Sequence, residues 1–499
     1  MTPSLIRGPT RRGKGQIAAR IAQGVLGGGI AVLWLCLVLP RVAPRAGEPA
    51  AGAAAQDEGG TWTADLVLPL VAAVAVIALA AYGYVRRNRR AATRTTPGGT
   101  GAVGSVGAPL TEPDTQACAA LVEADDCLRA SRVELGFARA RFDASGLAPY
   151  ERAVGAAGTE LRAAFAIRQR YDGGVPEDQA ARRQALAGIV GRCAEAGRRL
   201  DAEAPGLERL READRGTSEA LEVAEGRFRE LAGRTTGLEA VLGDLRERYA
   251  PLASASVTGC PEQAKDRLVF ATMRLNEARQ SVDLGEPERA AGQLRAAEGA
   301  IAQAAVLVAA VERLGEELAA ADRLVPAALT GAEAEVAGAR ERVAAGVAEV
   351  PVGELRARIR HADTVLGTVR EELTARRPYD PLDLLRRIAR AVLPLADGRA
   401  GVVEAAAVLV ARHTTAAADD FVATHLGGVG AEARTRLAEA VRLLAPGPER
   451  DPRAADELAR QARHLAEQDV RVQGSPYAEA AGPVTGFGGP RTRDRRAPA

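Results

Sequence analysis

Apolar residues are arranged in two ways along this chain: unbroken runs before residue 90, and a three-and-four spacing after residue 113. The stretch 66–85 holds twenty residues without a charge, and at a helical rise of about 1.5 Å per residue that length matches a bilayer core. Trp62 precedes it and Tyr82 and Tyr84 close it, so amphipathic rings mark both interfaces. Arg86, Arg87, Asn88, Arg89 and Arg90 follow at once. Because cytoplasmic flanks carry the excess of Lys and Arg, this cluster predicts that everything after it is cytoplasmic. The same arginines are the candidate contacts to anionic lipid.

A second apolar stretch, 21–39, follows Arg7, Arg11, Arg12, Lys14 and Arg20. Two spans with both basic ends inside predict a hairpin whose short loop, 40–65, lies outside the membrane and carries Glu48, Asp57, Glu58 and Asp65. The alternative is a secretory signal peptide, which a basic start and an apolar centre also suit. Its best small-residue cleavage site, Ala53-Ala54-Ala55, lies well beyond Leu39, with Arg41 and Arg45 between. The expected membrane part is therefore two transmembrane helices, or a signal peptide plus one. A basic cytoplasmic segment, 1–20, precedes it.

From 113 to 472 the pattern is helical almost throughout. Leu221, Ala224, Phe228, Leu231, Leu238, Leu242, Leu245 and Tyr249 form one apolar seam, broken at Thr235. Leu294, Ala297, Ile301, Ala304, Val308 and Val311 form another, widened by Leu307 and Leu314, as suits a helix touching two neighbours. Turn chemistry at Asp172-Gly173-Gly174, Ala204-Pro205-Gly206, Gly259-Cys260-Pro261, Gly285-Glu286-Pro287, Arg377-Pro378-Tyr379-Asp380-Pro381 and Pro446-Gly447-Pro448 predicts the breaks. The fold class expected is all-α: an elongated cytoplasmic array of long antiparallel helical hairpins or coiled coil. One echo supports hairpins. Arg274-Leu275-Asn276-Glu277-Ala278, a turn, then Arg289-Ala290-Ala291 and Leu294 is matched by Arg436-Leu437-Ala438-Glu439-Ala440, a turn, then Arg453-Ala454-Ala455 and Leu458. Residues 86–112 read as a stop-transfer cluster with a flexible Gly/Thr/Pro-rich linker, and 473–499 as a disordered Gly/Pro-rich basic tail.

Composition narrows the chemistry. Hydrophobic residues make up 47% of the chain but aromatics only 3%, so the core must be Ala, Leu and Val in close helix packing. All but two of the 66 basic residues, Lys14 and Lys265, are Arg, yet the net charge is only +2 and the signs are interleaved. That argues against a nucleic-acid partner. Cys36, Cys118, Cys127, Cys193 and Cys260 lack the short paired spacing of a zinc site, and buried or half-buried thiols are expected. Gly99-Thr100-Gly101-Ala102-Val103-Gly104 satisfies GxGxxG, but it follows the arginine cluster rather than a strand, and a dinucleotide site needs the strand. His361, His413, His425 and His464 stand apart in charged helical sequence and read as solvated. No catalytic, cofactor or metal site is assigned, and no small-molecule substrate is identified.

Several blocks resemble a known family. Ala264-Lys265-Asp266-Arg267-Leu268-Val269-Phe270-Ala271-Thr272, the RLNEARQ that follows, AGQLRAAEGAIAQAA from Ala291, Pro378-Tyr379-Asp380-Pro381 and ARTRLAEA from Ala433 are similar to the cytoplasmic part of actinobacterial TPM-domain membrane proteins. The resemblance extends from the span at Leu66 to about Val472. It implies a signal peptide, an extracytoplasmic TPM domain linked in some relatives to phosphatase activity or to assembly and repair of membrane complexes, a span, and a long helical region with a Gly-rich tail. Only 26 residues separate Leu39 from Leu66, short of the roughly 50 that a domain needs. The TPM domain is therefore expected to be missing, and no phosphatase residue carries over.

The expected function is a non-enzymatic, membrane-anchored helical scaffold or adaptor. It would bind a membrane or cytoplasmic protein, or itself as a homo-oligomer, at the inner face of the bilayer. Two alternatives stand beside it: direct action on the anionic membrane surface in the manner of envelope-stress proteins, and an accessory or degenerate paralogue of a TPM-domain phosphatase-like protein.

Overall fold

A computed structural model describes residues 112–174, 176, 178–213, 217–346, 350–395, 401–473 and 486–496. The expected spans, the loop 40–65, the arginines 86, 87, 89 and 90, and Trp62, Tyr82 and Tyr84 lie outside these residues. So does the GxGxxG match.

Every regular element among the described residues is helical: α1 Glu112–Ala138, α2 Ala144–Gly173, α3 Gln179–Ala213, α4 Thr217–Arg248, α5 Cys260–Asp283, α6 Pro287–Ala345, α7 Val352–Thr374, α8 Pro381–Val392, α9 Gly401–Thr424, α10 Ala431–Leu444, α11 Pro452–Gln473 and α12 Pro490–Arg496. Short 3₁₀ turns sit at Pro251–Val257 and Leu393–Leu395. The all-α expectation holds.

Helix α6 organises the largest core. Its 59 residues extend about 88 Å at a rise of about 1.5 Å per residue. Leu294, Ala297, Ile301, Ala304, Val308, Val311, Leu314 and Leu318 are buried along it, as the wide seam predicts. They pack with the α4 seam and with α5, α7, α8 and the first half of α9. Alanines at the crossings let backbones approach closely, which explains how a core so poor in aromatics closes. Thr235 does not interrupt the α4 seam. It is buried in line with its neighbours, and its hydroxyl donates to the Leu231 carbonyl at 2.8 Å. Helix α6 is also the one described helix long and apolar enough to cross a membrane, on length and composition, with 67% of its apolar window buried by protein. By itself that is weak evidence for membrane association.

Helices α1, α2 and α3 share a second core, which also takes in Ala431 of α10 and Phe487 ahead of α12. Helix α9 continues beyond the α6 core to pack through Ala418 and Val422 against α10 and α11.

Most expected breaks fall where turn residues stand. Gly285, at φ 73°, ends α5, and Pro287 opens α6 without an N–H to satisfy. Both halves of the echo fold as hairpins, but their cross-hairpin bonds fall one turn apart in register. Arg274 donates to Gln293 at 3.0 Å and Arg436 to Gln461 at 3.1 Å, each crossing to the next helix of its hairpin. One expected break is overturned: α3 runs straight through Pro205. An internal proline costs about 3 kcal/mol, but Ala204 and Leu207 on either side are anchored in the α1–α3 core, and tertiary burial wins. The tail expectation also changes, because residues 486–496 are ordered against α1 and α3 with Phe487 only 1% exposed. A glycine-rich composition concealed one buried aromatic anchor.

Candidate functional site

The densest polar convergence lies where α1 meets α3, α6, α9 and α10. It starts from the helical geometry of α1: Asp125 and Arg129 are one turn apart, and the Arg129 Nε donates to Asp125 Oδ2 at 2.9 Å. Arg129 also reaches Asp419 on α9 at 2.8 Å. From α10, Arg434 inserts into the same place. It is 2% exposed, lies 2.5 Å from Asp125 and 2.8 Å from Asp126, and donates through Nε to the Val429 carbonyl at 3.0 Å. Further along α1, Glu134 pairs with Arg211 of α3 at 2.5 Å, and Arg211 reaches Glu298 of α6 at 3.4 Å.

The neighbouring aspartates differ electrostatically. Burial would raise both carboxyls. At Asp125 the guanidiniums of Arg129 and Arg434 outweigh it and hold the group below the usual carboxylate range. At Asp126 burial prevails over Arg434 and the carboxyl is raised. Three guanidiniums, those of Arg129, Arg211 and Arg434, thus face the carboxylates of Asp125, Asp126, Glu134, Glu298 and Asp419. Arg132 and Arg295 border the same place and Arg493 acts on Asp126, so the carboxylates are nearly balanced by guanidiniums. A cavity of 230 Å³ opens beside it, between Arg129, Glu134, Glu298, Asp419 and Leu426, and Gly486 of the tail forms part of its wall.

The tail completes the site. The Phe487 amide donates to Glu134 Oε2 at 2.5 Å, and the Gly488 amide to the Ser131 hydroxyl at 3.2 Å. Asp201 of α3 accepts from the Gly489 amide at 2.9 Å, the Thr492 amide at 3.0 Å and the Thr492 hydroxyl at 2.6 Å. Arg493 donates to the Asp126 carbonyl at 2.7 Å. The Phe487 ring meets Tyr150 edge-on, centroids 5.9 Å apart.

Other expectations resolve locally. Cys127 and Cys193 are buried, and burial pushes both thiols up to about 12. They remain protonated and weakly reactive. His413 is not a solvated residue: its Nδ1 lies 2.6 Å from Glu317 of α6, and both are half-buried. His425 is also engaged, stacked on Phe421 with centroids 4.2 Å apart. Pro378-Tyr379-Asp380-Pro381 is a helix start. Asp380 accepts from the amides of Leu382 and Asp383 at 3.0 and 3.1 Å, and the Tyr379 hydroxyl donates to Asp322. These residues border a cleft of 600 Å³ with Leu252 and Glu372. Among the described residues no group of three or more His, Cys, Asp or Glu side chains is arranged to hold a metal ion.

Sequence spacing does not announce this charged junction. Its signal lay in α1, where Ser131 and Glu134 occupy positions that continue the apolar seam of Ala117, Leu121, Ala124 and Leu128. Polar residues at seam positions need buried partners.

Comparison with known proteins yields one kind of relative. Two curated UPF0603 proteins of Mycobacterium tuberculosis, from strains CDC 1551 / Oshkosh and ATCC 25618 / H37Rv, are each 28% identical to this chain over 415 residues, which cover 79% of it. The match spans 62% of each relative's length. No family model matches the chain, and no solved structure does.

Proposed function

We propose that this protein is a membrane-anchored helical scaffold or adaptor that binds a partner protein at the inner membrane face, with no catalytic site of its own. The observation that carries the reading is the outer face of α5. Val269 and Met273, one turn apart, are 61% and 51% exposed, beside Phe270 and the Arg274 guanidinium stacked on it at 4.8 Å. Apolar side chains left outside on a helix whose other face is fully packed suit a protein-binding surface. The anchor is the expected pair of spans, 21–39 and 66–85, with the helices cytoplasmic. The similarity to the mycobacterial proteins is further read as kinship with the TPM-domain membrane proteins, since Val269 falls within one of the blocks that resemble them.

Full-length protein in lipid nanodiscs, wild type against V269E/M273E, tests this by sedimentation and by capture from host membranes. The expected result is a discrete complex, self or hetero, that the double variant reduces at least tenfold. A strictly monomeric wild type that captures nothing would sink the reading. A second reading, binding to an anionic membrane surface, is favoured by Arg491 and Arg495, which α12 leaves exposed. With the arginines at 86, 87, 89 and 90 they would add about 1 kcal/mol each near anionic headgroups. Flotation with anionic against neutral liposomes separates it from the first.

A further inference from the structure

We propose that the cleft between α1 and α3 is a recognition site for a glycine-flanked phenylalanine segment, and that residues 486–496 of a second copy of this chain take it in exchange for the chain's own. The contacts have the character of a ligand in a groove. One aromatic side chain, Phe487, fills an apolar socket against Tyr150, and successive backbone amides donate to side chains of Glu134, Ser131 and Asp201. Such main-chain recognition with one side-chain anchor is how grooves read extended peptides.

Glycine is required on both sides of the contact. A Cβ on Gly489 would lie 2.3 Å from the Gly197 carbonyl oxygen, and a Cβ on Gly197 would lie 2.7 Å from Pro490 Cδ. Gly488, at φ 142°, holds a backbone conformation that side chains rarely allow. The occupant is therefore specified as Gly-Phe-Gly-Gly-Pro with Thr492 and Arg493 beyond Arg491, not merely as something apolar.

The second copy follows from where these contacts lie. All of them are made by residues 487–493, so recognition does not depend on groove and tail being covalently continuous. Residues 474–485 join the tail to α11, and twelve residues span at most roughly 40 Å. That reach sets a finite effective concentration for the chain's own tail. Copies anchored in one membrane, as in the function proposed above, raise the concentration of the competing tail, and exchange of an identical element needs no new contact. The surface involved is distinct from the Val269–Met273 face.

The test uses the full chain ending at residue 485, in detergent micelles, with a fluorescent peptide of residues 484–499. Saturable binding is expected, weakened at least tenfold by F487A or G489A in the peptide and weaker in the intact chain, whose own tail competes. In a second arm, a tagged chain ending at 485 is co-expressed with an untagged D201R chain, or with G197V should circular dichroism show D201R unfolded. Co-purification that is abolished by F487A in the untagged chain is expected. A folded truncated chain that does not bind the peptide overturns the proposal. Peptide binding without co-purification, or co-purification that survives F487A, overturns the exchange. Both chains of the second arm carry V269E/M273E, so self-association through the α5 surface cannot hold them together, and failure here and failure of that surface are distinguishable.

Discussion

Around α6 the buried side chains are chiefly Ala, Leu, Val and Ile, with hydroxyls such as Thr235 bonded within their own helix. Where α1 meets α3, α9 and α10, the buried set instead includes Asp125, Asp126, Ser131, Glu134 and Arg434, each bonded to a different element. The first region depends on area removed from water, which is non-directional and tolerates sliding along a seam. The second fixes register, because a buried guanidinium between two aspartates has one satisfactory position. Burial of charge does not by itself add stability; its loss on one side is what costs.

The widest separation of the two regions comes from their largest side chains. Arg434→Met leaves Asp125 and Asp126 buried without that guanidinium and is expected to cost about 3–5 kcal/mol. Leu318→Ala, in the α6 seam, opens a cavity and is expected to cost about 2–5 kcal/mol. The totals are alike, but the seam loss should be insensitive to pH and the junction loss should not. Urea unfolding followed by circular dichroism at several pH values decides it. Equal pH profiles for the two variants would erase the distinction.

A smaller effect distinguishes the two aspartates. Asp125 has a lowered carboxyl pKa, so its contribution is present above the unfolded value, about 3.9, and is lost as pH falls through the folded value below it. Asp126 is raised by burial, opposed by Arg434 on α10 and Arg493 on α12 and reinforced by Asp125. Its ionisation disfavours the fold, so stability declines as pH rises from the unfolded value through the folded one. Asp125→Asn should destabilise near neutral pH and remove a rise of stability with pH below about 4. Asp126→Asn should cost less and flatten a decline above about 4. Difference curves against wild type, read by urea midpoint across pH, isolate each group. Identical curves would mean that the two carboxylates are electrostatically equivalent.

These regions also differ in how far the chain announces them. The seams of α4 and α6 follow from spacing alone, and Gly285-Glu286-Pro287 announces its turn, because local periodicity and turn chemistry agree with the final packing. Pro205 misleads, since its helix-breaking tendency is local while the burial of Ala204 and Leu207 is not. The junction is harder to see. Arg434 and Asp125 are 309 positions apart, and nothing in an Arg-rich sequence marks out Arg434 as fully buried among carboxylates. Phe487 is similarly hidden, one of two aromatics in the Gly/Pro-rich stretch 473–499, and its partner surface lies more than 300 positions earlier, at Ser131 and Glu134.

The smallest predicted effect compares two buried hydroxyls. Thr235 donates to the Leu231 carbonyl, an oxygen already engaged in the helix, so Thr235→Val exchanges a local bond for a buried methyl. A hydrogen bond contributes about 1 kcal/mol net and a buried methylene about 0.8 kcal/mol. The two nearly cancel, and the change should lie within about 1 kcal/mol of zero. Ser131 accepts from the Gly488 amide, which is buried. Ser131→Ala removes the acceptor but leaves the donor, a loss of about 1–3 kcal/mol for an orphaned group. It should appear as release of the tail rather than global unfolding: faster proteolysis near Gly486 with an unchanged urea midpoint. Were both substitutions silent, or both costly, the seam and the junction would hold their polar groups on the same terms.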